Sequence, residues 1–297
     1  MKIKKHLISI CALATMMFAV GCSGTNDTTE NKDTNVGENL SEDSTVVATS
    51  VAVVQILDEL GIKVTGVPTT SYELPESTKD AIEVGAPMNP DLEIIKSINP
   101  DIVVSVDTLG QDFMDQFTEN NIPSEFVNLR SYEGLKETIS TLGDKIGKED
   151  KANEILTELS SKESELASNT SDTEKPKVLI IFGAPGTMML ATEKSYVGNL
   201  VNLAGGDNVL EDASISFAQV NKEELLNLNP DKIVVMAHAN PEITNAEVKE
   251  TLETDAAWKN LDAVKNKEVH YLDSEYFGMS ANLKVIEALD KMHDILY

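Results

Sequence analysis

Twelve residues of this chain occur twice. Glu93–Val104 (EIIKSINPDIVV) returns 130 positions later as Glu223–Val234 (EELLNLNPDKIV), with five identities in twelve positions. Each copy reads as a short helix, an Asn-Pro-Asp turn and a buried, β-branched strand. Asn-Pro-Asp suits any helix-to-strand turn, so the turn alone is compatible with two unrelated βαβ units. The offset adds more, because it places the copies at corresponding depths in two apolar-rich halves, as a duplication does. All-helical and all-strand folds do not accommodate this pattern.

The rest of the chain follows the same rhythm. Val46–Ala48 reads as a strand, Val51–Leu60 as a helix and Lys63–Val67 as a second strand after Gly61. Between the halves, Leu135, Ile139, Leu142 and Ile146 fall at helical spacing. Ala152, Ile155, Leu156, Leu159 and Leu166 continue the pattern after Gly147, which predicts a helix over about Glu149–Asn169, roughly 30 Å long at 1.5 Å per residue. Pro176 ends the connection and Lys177–Phe182 opens the second half as a strand. The expected architecture is α/β, with two Rossmann-like lobes over residues 46–146 and 176–297. A single long α-helix and linker, residues 147–175, joins them, a stiff crossing that permits only small hinge motion.

The N-terminal segment predicts an address. Lys2, Lys4 and Lys5 precede an apolar stretch from Leu7 to Val20, a secretion signal over residues 1–21. Ala19-Val20-Gly21-Cys22 resembles a bacterial lipobox, with Ala19 in place of the usual leucine. That resemblance implies cleavage before Cys22 and lipidation of its thiol, which would hold the protein on the extracellular face of the cell membrane. Residues 22–45 are rich in Ser, Thr, Asn, Asp, Glu and Gly and read as a flexible tether. Cys11 and Cys22 are the two cysteines, so the mature chain is expected to hold no disulfide, thiolate metal site or cysteine nucleophile. The formal net charge is -26 and Arg130 is the sole arginine. Nucleic acid is therefore excluded as a partner, because the cationic stripe that neutralises phosphates is missing.

Two residues stand out where such folds form clefts, at the carboxyl ends of parallel strands. Asn89 is expected to cap a helix with Pro90 at its first position and Asp91 in its first turn, which puts Met88 on the entering loop. His238 follows the strand Lys232–Met236. The duplication sets loops around Met88 and Thr108 against loops around Ala218 and His238. On residue type alone each has a structural reading too, since a loop methionine packs and a loop histidine hydrogen-bonds. A bare zinc or manganese ion would need three or four converging ligands, and His6, His270 and His293 are predicted elsewhere. Thr49 and Ser50 open a helix and read either as its cap or as a contact for an anionic group. Pro185–Met189 and Tyr276–Ser280, including Tyr276, are placed at the cleft and suit packing equally well. No phosphate loop, Gly-x-Ser-x-Gly elbow or clustered Ser/His/Asp set is present, so no enzyme is expected.

The repeat, the stretch Ser195–Gly206 and the inter-lobe helix together resemble the substrate-binding lipoproteins of ABC importers for haem, ferric siderophores and cobalamin. Within that family, Gly85–Glu93 (GAPMNPDLE) and Val234–His238 (VVMAH) are most similar to the haem receptors of Gram-positive iron-regulated surface systems. The resemblance implies a helical-backbone periplasmic-binding-protein fold and haem held in the cleft, with Met88 and His238 as an axial pair for its iron. Thr49, Ser50 and Tyr276 are the candidates for its further contacts, beside their capping and packing readings. It also implies that Glu93 and Glu223, one per lobe, dock on a permease homodimer, and that a haem-donor surface protein supplies the cargo. A ferric siderophore or cobalamin is the alternative. Anionic siderophores normally need an Arg/Lys-lined pocket, and cobalamin favours aromatic walls, for which one Trp, seven Phe and six Tyr are a thin supply.

Overall fold

The computed structural model describes residues 40–41, 43–170, 174–210, 214–238 and 240–297. The predicted signal, Cys22 and most of the tether lie outside the described residues. Two sheets organise the fold. The first contains β1 (Val46–Ala48), β2 (Val64–Val67), β3 (Ile82–Glu83), β6 (Ile102–Val106) and β7 (Ser124–Val127) in the order β3-β2-β1-β6-β7, all parallel. A small antiparallel hairpin, β4 (Gly85–Ala86) with β5 (Asn89–Pro90), follows β3. Helices α1 (Val51–Glu59), α2 (Leu92–Ile98) and α3 (Gln111–Glu119) make the crossovers, and α4 (Tyr132–Ile146) and α5 (Glu149–Thr170) lead onward.

The second sheet has the order β11-β9-β8-β12-β13, with β10 beside the start of β8. Its strands are β8 (Lys177–Ala184), β9 (Thr187–Ala191), β10 (Asp207–Asn208), β11 (Phe217–Gln219), β12 (Lys232–Ala237) and β13 (Val269–Leu272). Its helices are α6 (Tyr196–Leu203), α7 (Lys222–Leu228), α8 (Pro241–Thr254), α9 (Asp262–Lys265) and α10 (Val285–Leu296). β8, β10, β12 and β13 run parallel, but β9 is antiparallel to both β8 and β11. The second half thus departs from a purely parallel Rossmann-like sheet, because the Pro185-Gly186 turn, with Gly186 at φ 71°, folds the chain straight back on itself.

Strand alternation explains the continuous apolar runs. Val46 and Ala48 join one core, while Val47 joins another beneath α2 and α3 with Val84, Ile95, Val103 and Phe117. In β8, Val178, Ile180 and Phe182 point one way, and Leu179 and Ile181 point into a third core around Trp258. Both faces of each sheet are covered, so no polar alternation is expected. The first core is continuous from β1 through α4, α5 and α6 to Leu296.

The duplicated segments share their local chemistry. Asp91 and Asn221 cap α2 and α7, and Asn99 and Asn229 end them in left-handed conformation at φ 52° and 31°. Asp101 and Asp231 then accept from the Thr45 and Lys177 N–H groups at 2.7 and 2.8 Å, which ties each repeat to the first strand of its own sheet. Ahead of the predicted boundary at residue 46, the Leu40 N–H bonds the Lys145 carbonyl at 2.9 Å.

The inter-sheet helix falls where predicted, and α4 packs along it. A Cβ on Gly143 would sit 2.5 Å from the Ala152 Cβ, so glycine is what permits the close approach of α4 and α5. The Tyr132 hydroxyl donates to the Leu159 carbonyl at 2.6 Å, and the Tyr132 N–H donates to Asn199 Oδ1 on α6 at 2.8 Å. Burial, helped by Glu163 and Glu133, pushes the Tyr132 hydroxyl well above the ordinary tyrosine range, and burial does the same to Tyr196. Both phenols stabilise the fold while neutral. That stabilisation is complete below about pH 10, the unfolded value, and declines as pH rises above it. Tyr132→Phe should lower stability by about 1–2 kcal/mol through the orphaned Leu159 carbonyl, and should shallow the alkaline decline. Thermal melts at pH 7 and at pH values above 10 check both, and an unchanged alkaline slope would remove Tyr132 from the account.

Candidate functional site

The carboxyl edge of the first sheet carries four of the residues that matter, set out by strand order. Past β3, the β4–β5 hairpin holds Met88 at its tip, 74% exposed. The hairpin base is fixed by the Asp91 N–H to the Val84 carbonyl at 2.7 Å and the Thr69 N–H to the Gly85 carbonyl at 2.8 Å. Gly85 adopts φ 93°, and a Cβ there would meet the Asp91 nitrogen at 2.8 Å. The sequence expectation that Asn89 caps α2 is corrected. Asn89 and Pro90 pair with Ala86 and Gly85, so the cap passes to Asp91, whose carboxylate accepts from the Glu93 and Ile94 N–H groups. Met88 consequently rides on a braced hairpin rather than a helix-entry loop.

Past β1 come Thr49 and Ser50. Thr49 is 2% exposed, its hydroxyl donates to Ser105 Oγ at 2.6 Å and its N–H to the Val104 carbonyl at 3.1 Å. Both Thr49 donors are engaged in holding β1 to β6, and the edge is left to Ser50, whose hydroxyl accepts from the Val53 N–H as the cap of α1. Past β6 lies Asp107, and past β7 lies Arg130. The Arg130 Nη2 donates to the Asp107 carbonyl at 3.0 Å and sits 3.3 Å from Asp107 Oδ1.

In the second sheet, His238 directly follows β12, its N–H bonded to the Gly183 carbonyl at 2.7 Å. Its ring stacks on Phe182 at 6.0 Å and 28°, and Phe182 in turn lies 4.9 Å from the Phe217 ring. The imidazole is exposed, and among the described residues no hydrogen bond engages its nitrogens. Aromatic stacking orients the ring without consuming either nitrogen. Tyr276, on the loop after β13, is half-buried against the core, with the Lys284 and Lys291 ammonium groups 5.7 and 4.5 Å from its ring centre. Met188 and Met189, placed by the sequence at the cleft, pack against the cores from β9.

The two carboxyl edges meet at one point. The Ala281 N–H, on the loop beyond β13, bonds the Leu129 carbonyl, on the loop beyond β7, at 2.7 Å. Met88 and His238 each occupy the carboxyl edge of their own sheet, Met88 at the β3 end of the first sheet and the Leu129–Ala281 contact at its β7 end. Sequence reasoning counted Arg130 only as evidence about charge and assigned no strand before it, so its place three residues past β7 was not read. Phe182 was missed as the support of His238, because the stack joins residues of two different strands.

Glu93 and Glu223 occupy the same position in their helices, one residue inside the start. Each donates its N–H to a capping side chain, Asp91 at 3.0 Å and Asn221 at 3.1 Å. Capping is done by the neighbours, so both glutamate carboxylates project as exposed groups; among the described residues Glu93 pairs with Lys96 alone, at 3.0 Å.

Among the described residues no group of three or more His, Cys, Asp or Glu side chains gathers as a metal site. One thioether and one imidazole, from different sheets, suit a metal centre that brings most of its own ligands, whereas a bare ion needs three or four from the protein. Neither is a nucleophile with a base beside it.

Comparison with known proteins gives a consistent picture. A family profile described as periplasmic binding protein matches residues 46–276. The high-affinity heme uptake system protein IsdE of Staphylococcus aureus is 34% identical over 253 residues, covering 85% of this chain and 87% of that protein. Among solved structures, an ABC transporter substrate-binding protein from Listeria monocytogenes shares 38% identity with a TM-score of 0.81, over 86% of this chain and 98% of that one. S. aureus IsdE complexed with heme superposes with a TM-score of 0.81 at 34% identity, over 86% and 99%. A vitamin B12 binding protein of Vibrio cholerae, 14% identical with a TM-score of 0.70 over 86% and 97%, shares the fold.

Proposed function

We propose, since this chain belongs to the periplasmic binding protein family, that it is the haem receptor of an ABC importer. It binds haem between its two sheets and delivers it to a membrane permease homodimer, with no catalysis of its own. The observation that carries the reading is the placement of one exposed thioether, Met88, and one exposed imidazole with no hydrogen-bond partner among the described residues, His238, on the carboxyl edges of the two sheets of a chain 34% identical to a haem uptake protein. A porphyrin supplies four nitrogens in its plane, and a Met/His pair completes the axial positions.

Ser50, at the start of α1, is the contact for a haem carboxylate, favoured there by the positive end of the helix, with Thr49 holding β1 to β6 beneath it. Tyr276 closes the cleft from the second sheet. Residues 46–146 and 176–297 act as the two lobes and 147–175 as their brace. Residues 1–21 act as the secretion signal, and lipidated Cys22 with the segment after it keeps the receptor on the outer face of the membrane, where a surface protein hands over haem.

Titration of the purified protein with haemin, cobalamin and ferric siderophores in parallel tests the cargo. Haemin should bind one to one with a sharp Soret band and quench the fluorescence of Trp258, the sole tryptophan. Tight saturation by a corrinoid or a siderophore, with haemin weak, would transfer the receptor to the alternative cargo.

A further inference from the structure

The proposed function leaves one charge unused. Haem carries two carboxylates on neighbouring positions of its rim, and a chain of net charge -26 repels a dianion unless positive groups are placed locally. We infer that Arg130 is the second anchor of the bound haem, taking one carboxylate while the start of α1 at Ser50 takes the other; this rests on the haem reading above.

Strand order supplies the geometry. Ser50 follows β1, and the Arg130 guanidinium rests on Asp107, which follows β6; β1 and β6 are neighbours in the sheet. Their carboxyl ends are pinned together by the Thr49–Ser105 hydroxyl bond at 2.6 Å. The two strands whose ends lead to these groups are neighbours, about 5 Å apart at one strand spacing, so Ser50 and the Asp107–Arg130 pair stand on adjacent strands as the two carboxylates stand on adjacent positions of the rim. The Met88 hairpin extends from β3, two strand spacings beyond β1 and three beyond β6, or roughly 10 to 14 Å. That is the scale on which a porphyrin holds its carboxylates away from its iron.

The arginine is also prepared for the task. Asp107 engages Nη2 through its backbone carbonyl and its Oδ1, and the Asn128 side chain accepts from the Arg130 N–H at 3.0 Å. Among the described residues Nε and Nη1 have no partner, and the side chain remains 49% exposed. A guanidinium offers five donors in a fixed plane, so a group tethered by one nitrogen retains a free pair for a carboxylate. Asp107 orients the fork and offsets only part of its charge.

The test uses haemin and haemin dimethyl ester, in which both carboxylates are neutral, against the wild type, Arg130→Ala and Arg130→Gln. Arg130→Gln keeps an amide donor toward Asp107 and so preserves the loop if alanine does not. Haemin affinity should fall about ten- to a hundredfold in both variants, the effect of a lost charged hydrogen bond, while ester affinity stays within about twofold of wild type and the Met88-dependent spectrum is kept. Equal haemin affinity in wild type and variants would overturn the inference and leave the haem reading standing. Equal losses for haemin and ester would make Arg130 a structural residue and overturn it as well. A wild type that does not bind haemin removes the haem reading and this inference together.

Discussion

Haemin bound to the His238→Ala variant should lose its six-coordinate, low-spin spectrum and bind at least about tenfold more weakly, a difference of 1.4 kcal/mol. The expectation follows from how His238 is held. Its ring is oriented by Phe182 at 6.0 Å and its backbone by Gly183 at 2.7 Å, with the nitrogens left to a ligand. Removing the imidazole takes away nothing that the fold uses, so the melting temperature should hold while the spectrum changes. Met88→Ala should act differently. The thioether is the softer donor, and a Met/His pair raises the haem potential, so its loss should lower the reduction potential of bound haem and leave a histidine-bound, high-spin ferric form. Because Met88 is 74% exposed at a hairpin tip, its removal also costs the fold almost nothing. Absorption spectra and redox titration of the two variants separate the roles. Identical low-spin spectra in both single variants would refute the axial pair, with the fold and family unaffected.

Phe182→Ala sharpens the same point, since it removes the platform and keeps the ligand. A partial loss of affinity with the low-spin spectrum intact is the outcome that a supporting role produces.

What the sequence made legible follows from which interactions are local. The repeat predicted a helix, a turn and a strand in each half correctly, as α2–β6 and α7–β12, because its information is short-range: an Asx cap, an asparagine that tolerates φ near 52° or 31°, and a β-branched run covered on both faces. α5 was legible for the same reason, as its apolar stripe is written at helical spacing over many turns. The hairpin carrying Met88 was not. Two strands of two residues each carry no periodicity, and Asn-Pro-Asp-Leu reads as a helix entry until Pro90 is seen paired with Gly85. The engagement of the Thr49 hydroxyl was not legible either, because its partner, Ser105, lies 56 positions away. Arg130 failed to register because the value of a side chain at a strand end depends on which strand is its neighbour. Sheet order is a long-range property, and the pattern of β3-β2-β1-β6-β7 is what turns scattered residues into a row.

Reversing both Glu93 and Glu223 to lysine should abolish haem uptake by cells while leaving haem affinity of the purified protein unchanged. The two carboxylates are related by the duplication, each two residues past a capping Asp or Asn, and neither is needed by its helix for capping. Dipole stabilisation at each site is under about 1 kcal/mol, and the exposed Glu93–Lys96 pair contributes little more, so the double variant should fold normally. Its effect appears only against a partner. On the proposed docking, a two-fold permease would present the same cationic patch twice, and a receptor with one glutamate per repeat would answer both copies at once. The single variants should then retain part of the uptake and the double variant none, with import restored when the permease contacts are themselves reversed from basic to acidic. Reduced haem affinity in the double variant would instead place these glutamates in the binding site, and undiminished uptake would dissociate them from the permease altogether.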